Sequence, residues 1–261
     1  MLKYLLAALL LPVAAPAQNM DYGSVKLLKG WQAADGSYQV ALEFKLNEGW
    51  KTYWRTPGPA GLPPVFNWDA SDNIAEVRYN WPTPEIIKQS GMTILGYHNT
   101  FVLPIRITPE VDGPVRMAMT LNFGVCSEIC VPAQAVFLAR LDGSANQAVA
   151  RIEAALQDGP QLREAAGLER ISCRVEPNGD GYEITADLGF AEAIDSPMTV
   201  IEYGAPDIWI DMPESEIRGE VISARAPLKY YGSGEMDIDM AALTVSVFGT
   251  DRAVEITGCL N

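Results

Sequence analysis

Apolar and polar residues alternate along Tyr38, Val40, Leu42, Phe44 and Leu46, and again along Val115, Met117, Met119 and Leu121. A period of two is the mark of a strand with one face turned to a core. Further strands are predicted at 101–107 and 135–141. Between them lie proline- and glycine-dense connections at 56–64 and 81–84, which cannot continue a ladder because proline lacks the N–H donor. Residues 18–142 therefore read as an antiparallel sandwich.

The period then changes. Val149, Ile152 and Leu156 stand at helical spacing, Ser144 is the expected N-cap, and Asp158-Gly159-Pro160 is a stop. A helical connector is expected over 143–165. Strand patterns return at 171–176, 182–188, 198–202, 221–224, 243–248 and 253–256, so 166–261 is predicted to be a second β domain, with Cys173 in its first strand and Cys259 in its last. The fold class expected is all-β, two sandwiches joined by a short helical connector. No repeat of 20 to 50 residues and no low-complexity tract is seen.

Residues 1–17 read as a signal peptide: one cation, Lys3, an apolar run from Tyr4 to Val13, then Ala15-Pro16-Ala17 with small residues at the positions a signal peptidase inspects. No stretch reaches about 18 uninterrupted apolar residues, so the mature chain is expected to be exported and not membrane-spanning. The formal charge of −14 argues against nucleic-acid binding, which needs clustered cations. Export also places the four cysteines where disulfides persist.

Cys126-Ser127-Glu128-Ile129-Cys130 would close a ring of five residues, and in the chain-entropy treatment such a cross-link removes only about 2 kcal/mol of unfolded-state freedom. Cys173 and Cys259 would close a loop of about 87 residues, worth about 4.6 kcal/mol on the same reckoning. This contrast suggests a redox pair and a structural staple, although four cysteines allow three pairings and sequence does not choose among them. The segment 126–130 is expected at a strand end or loop tip, where an accessible disulfide exchanges readily. It contains Glu128 and no Lys or Arg, so thiolate stabilisation is expected from elsewhere in the fold or from a partner.

GWKTYWRTPGPAGLPP at 49–64, WPTPE at 81–85, GYHNTFVLPIRI at 96–107 and FGVCSEICVPAQA at 123–135 together resemble the amino-terminal periplasmic domain of the DsbD and ScsB thiol:disulfide interchange proteins, over roughly 23–141. The three-residue gap between the cysteines is like the ScsB branch. The resemblance implies an immunoglobulin-like redox domain in which Cys130 forms the mixed disulfide with partners and Cys126 resolves it. It implies a cap over the sulfurs at 85–92, with Glu85, Ile86, Ile87 and Met92 as cap or docking residues and Tyr53 packed beside them. The implied partners are a separate membrane electron carrier or thioredoxin-like donor and oxidised periplasmic clients. No cofactor is expected.

Two other functions compete. A copper(I) carrier would use both thiols with thioethers from Met92, Met117 and Met119, and ScsB-like relatives are associated with copper tolerance; Met117 and Met119 share a strand face, the expected position for core, and no metal ligand is assigned. A non-redox structural binding module is the third reading. His98 is the only histidine, which leaves little material for a Cys-His pair or a His-rich metal site. Trp50, Trp54, Trp68 and Trp81 are expected to pack in the core or against loops.

Overall fold

The structure, a computed structural model, describes residues 18–89, 91–144 and 148–259, so residues 1–17, expected to be a signal peptide, lie outside the described residues. In chain order the strands are β1 (Gln18–Met20), β2 (Gly23–Gln32), β3 (Tyr38–Leu46), β4 (Lys51–Tyr53), β5 (Val65–Asn67), β6 (Glu76–Tyr79), β7 (Glu85–Gln89), β8 (Met92–His98), β9 (Thr100–Thr108), β10 (Val115–Cys126) and β11 (Cys130–Leu141). Helix α1 (Val149–Leu156) follows, then β12 (Gln161–Leu162), β13 (Leu168–Asn178), β14 (Gly181–Phe190), β15 (Met198–Glu202), β16 (Ile208–Ile210), β17 (Glu214–Arg218), β18 (Val221–Tyr230), β19 (Thr244–Phe248) and β20 (Ala253–Thr257).

In the first sandwich one sheet runs β1-β2-β3-β9-β6 and the other β11-β10-β4-β8-β7, with β5 also on β10. In the second, β12-β20-β19-β15 faces β13-β14-β18-β16, with β17 also on β18. The fold is all-β and immunoglobulin-like. Between the sheets of the first sandwich lie Leu42, Phe44, Leu103, Ile105, Met117, Met119 and Leu121, all buried. Ile184, Leu188, Leu228, Val245 and Ile256 form the second core.

Strand β3 alternates in sequence yet is buried on both faces over most of its length. The reason is α1, which lies on the outer face of this sheet: Ile152 and Ala148 pack with Leu28 and Ala41, and Arg151 reaches the buried Glu43 carboxylate at 2.5 Å. The helix thus covers sheet surface as well as connecting. Its N-terminus is Ala148, with no side-chain cap; Ser144, the expected cap, instead donates its hydroxyl to Asp142 Oδ1. Hydrogen-bonding inside its own turn satisfies that hydroxyl before the helix begins.

Cys173 in β13 is bridged to Cys259. Cys259 sits just beyond β20 rather than in the last strand, so the bridge ties the two facing sheets of the second sandwich together.

The sandwiches meet through three consecutive residues after β4. Trp54 is fully buried with its ring edge-on to Phe248, centroids 5.1 Å apart. Arg55 forks onto Glu202 at 2.7 and 2.9 Å, reaches Glu255 at 2.5 Å, and stacks over Trp54. Thr56 donates to Glu202. The two carboxylates hold the guanidinium charged by raising its pKa against the opposing effect of burial. Beside this contact an open cleft of about 1020 Å³ runs between the loop 56–63 and β15–β16, its walls including Trp209, Met212 and Tyr203; no cysteine lines it.

Candidate functional site

Strands β10 and β11 form one long hairpin whose last register pair is Cys126 opposite Cys130, and the two are bridged. Residues 127–129 are the turn, closed by Ser127 N–H donating to the Ile129 carbonyl at 3.1 Å. The two sulfurs differ sharply in access. Cys126 is 1% exposed, whereas Cys130 is exposed and follows Ile129, which is 69% exposed. A thiolate arriving from solvent therefore meets Cys130 before Cys126.

What covers Cys126 comes from β4, the loop after it, and the β7–β8 hairpin. Tyr53, Ile94 and Cys126 form one buried cluster, with Ala60 and Ile87 packed against it. The Tyr53 hydroxyl lies 2.7 Å from Cys126 Sγ and 3.2 Å from Cys130 Sγ. A disulfide sulfur carries no proton, so the phenol donates. Burial raises the Tyr53 pKa, which keeps that proton in place.

Tyr53 fits because the residue beside it has no side chain. A Cβ at Gly124 would sit 2.5 Å from Leu62 Cβ and 3.1 Å from Tyr53 Cε2. We expect Gly124→Ala to push the loop at Ala60–Leu62 off the sulfurs, lowering stability by about 1–3 kcal/mol through overpacking and speeding alkylation of Cys126 in the reduced protein. Thermal denaturation and timed alkylation read the two effects; an unchanged alkylation rate in the variant would refute this account of the cover.

The residues expected in a cap are placed differently from one another. Ile87 packs on the Cys126 cluster. Gln89, not singled out from sequence, donates to the Ser127 carbonyl at 3.2 Å. Ile86 is turned to the sandwich core, because neighbours along a strand face opposite ways. Glu85 pairs with His98 Nδ1 at 2.9 Å, so the single histidine is held in a strand. Met92 is 46% exposed at the hairpin end.

Lys51 is a further residue that sequence reasoning missed. It is the register partner of Cys126 on β10 and of His98 on β8, it is buried, and its Nζ reaches the Ser127 carbonyl at 3.5 Å. The signal was present: two residues before Tyr53 on one strand, Lys51 must share Tyr53's face.

Met117 and Met119 are core residues on the face of β10 opposite Cys126, so the sheet separates those thioethers from the thiols. Among the described residues no group of three or more His, Cys, Asp or Glu is arranged to hold a metal, and no helix is long and apolar enough to cross a membrane.

The family described as "Thiol:disulfide interchange protein DsbD, N-terminal" matches residues 24–141. Among solved structures, the crystal structure of the N-terminal periplasmic domain of ScsB from Proteus mirabilis aligns over 94% of this chain and 97% of its own, with a TM-score of 0.68 and 20% identity. That likeness extends the shared fold across both sandwiches. A marsupial T cell receptor aligns over 91% of this chain and 96% of its own at 11% identity, but its TM-score of 0.19 carries no argument. No curated protein matches the sequence.

Proposed function

We propose, from the premise that residues 24–141 belong to the family of DsbD N-terminal domains, that this chain passes reducing equivalents through Cys126 and Cys130 between a thiol donor and oxidised periplasmic proteins. The observation that carries the reading is the asymmetry of the pair, an exposed Cys130 joined to a Cys126 sealed beneath Tyr53. A structural bridge gains nothing from presenting one sulfur to solvent and hydrogen-bonding the other from a buried phenol.

The steps balance as two successive exchanges. A donor thiolate attacks Cys130 Sγ; the S–S bond breaks and its electron pair leaves on Cys126 Sγ. Cys126 stays a thiolate until a second donor thiol attacks the donor-side sulfur of the mixed disulfide, releasing oxidised donor and reduced Cys130. In the second half, Cys130 thiolate attacks a client disulfide, and Cys126 then attacks Cys130 Sγ, releasing the client as a dithiol. The client gains the two electrons that the donor lost. Ile129 in the turn, Leu62 in the loop after β4 and Met92 in the β7–β8 hairpin are exposed, apolar surface suited to transient docking. The donor is a membrane electron carrier or a thioredoxin-like protein.

The test is selective reduction. Under mild thiol, mass spectrometry after alkylation should find Cys126 and Cys130 labelled while Cys173 and Cys259 stay bridged. Equal resistance of the two bridges would instead mean a structural binding module.

A further inference from the structure

Lys51 is 5% exposed, and among the described residues no carboxylate forms an ion pair with it. Its ammonium has the Ser127 carbonyl at 3.5 Å, a long contact for a group with three donors. A buried charge without an anion is costly, and desolvation accordingly lowers the Lys51 pKa. An anion appearing beside such a group would offset that cost.

The register says where that anion forms. Cys130, Cys126 and Lys51 are successive partners across β11, β10 and β4, so the three side chains stand in one row on one face. Directly opposed residues in antiparallel strands have Cβ atoms about 4.5–5.5 Å apart. While the disulfide is closed both sulfurs are neutral. When a thiolate attacks Cys130, the electron pair of the broken bond goes to Cys126 Sγ, and a negative charge appears in a site almost closed to water.

We propose that Lys51 is the counter-charge of the Cys126 thiolate, unpaired in the oxidised protein and paired once the disulfide opens. Tyr53 supplies a neutral hydrogen bond to the same sulfur, and Lys51 supplies the charge. Together they make Cys126 a better leaving group, because exchange accelerates as the leaving thiol's pKa falls. This rests on the redox reading and adds the cation that the segment 126–130 itself lacks. The other titratable groups around the row are Tyr53 on β4, His98 on β8 with Glu85 on β7, and Glu128 in the turn.

The experiment uses the full chain carrying Cys130→Ser, which leaves Cys126 as the single free thiol of the pair, and follows thiolate ultraviolet absorbance against pH. Adding Lys51→Met should raise the Cys126 midpoint by about one pH unit, and Lys51→Arg should restore it. With both cysteines present, Lys51→Met should slow opening of the disulfide by a small thiol about threefold. The oxidised Lys51→Met protein should be at least as stable as the parent, since an unpaired buried charge has been removed; a merely structural lysine would give the opposite sign. If Lys51→Met does not fold, Lys51→Gln carries the same expected shift. An unmoved or lowered midpoint, in a protein whose 126–130 bond reduces normally, overturns the role of Lys51 alone. A parent bond that resists mild thiol overturns the redox reading beneath it.

Discussion

Cells exporting the Cys126→Ser protein should accumulate covalent complexes joined through Cys130, and cells exporting Cys130→Ser should accumulate none. The difference follows from access. With Cys126 gone, Cys130 remains exposed and can form a mixed disulfide with a partner, but no neighbouring thiol is left to resolve it. With Cys130 gone, the remaining sulfur is 1% exposed beneath Tyr53, Ile87 and Ala60, and a folded partner cannot reach it. In a purified system, either substitution should reduce catalysed reduction of a client disulfide to the level of the protein-free reaction, because two-electron exchange needs both thiols. Non-reducing electrophoresis and mass spectrometry of the trapped species check the first outcome. Complexes of equal abundance in both variants would show that the two sulfurs are equally available, and the assignment of roles would fail.

The second large effect separates the two bridges by stability. Cys173–Cys259 spans 86 positions and Cys126–Cys130 spans 4. Replacing Cys173 and Cys259 by Ala should lower the stability of the second sandwich by about 4–5 kcal/mol, a fall in Tm of about 20 °C for a domain of this size. The same replacement at 126 and 130 should cost about 2 kcal/mol or less. The longer bridge also crosses between facing sheets, so its loss frees chain ends that the short one does not hold. Denaturant unfolding of both double variants measures the contrast, and similar losses in the two would show that ring length is not what distinguishes them.

Much of the architecture was readable along the chain. Tyr38–Leu46 forms β3 over the span where apolar residues alternate, and Val115–Leu121 lies within β10. The segment 126–130 falls where the strand pattern stops, and it is a hairpin end. Shorter strands such as β4, β5, β12 and β16 were not individually visible. Two or three residues hold too little periodicity to rise above composition, and their pairing partners lie far away in the chain. Gln39 and Glu43 stand at the polar positions of the alternating run yet are buried. Alternation reports which residues share a face, and is silent on whether something later in the chain will cover it.

Sequence alone determined the β character of the chain, the tight spacing of one cysteine pair and the wide spacing of the other. All of these are local properties, or separations that can be counted. Only the tertiary structure decided that α1 covers β3 and that Trp54, Arg55 and Thr56 bind the second sandwich. It alone sealed one sulfur while presenting the other, and brought a buried lysine alongside them. Those outcomes depend on desolvation and contact between residues far apart in the chain, and burial is a property of the packed assembly that no single segment carries.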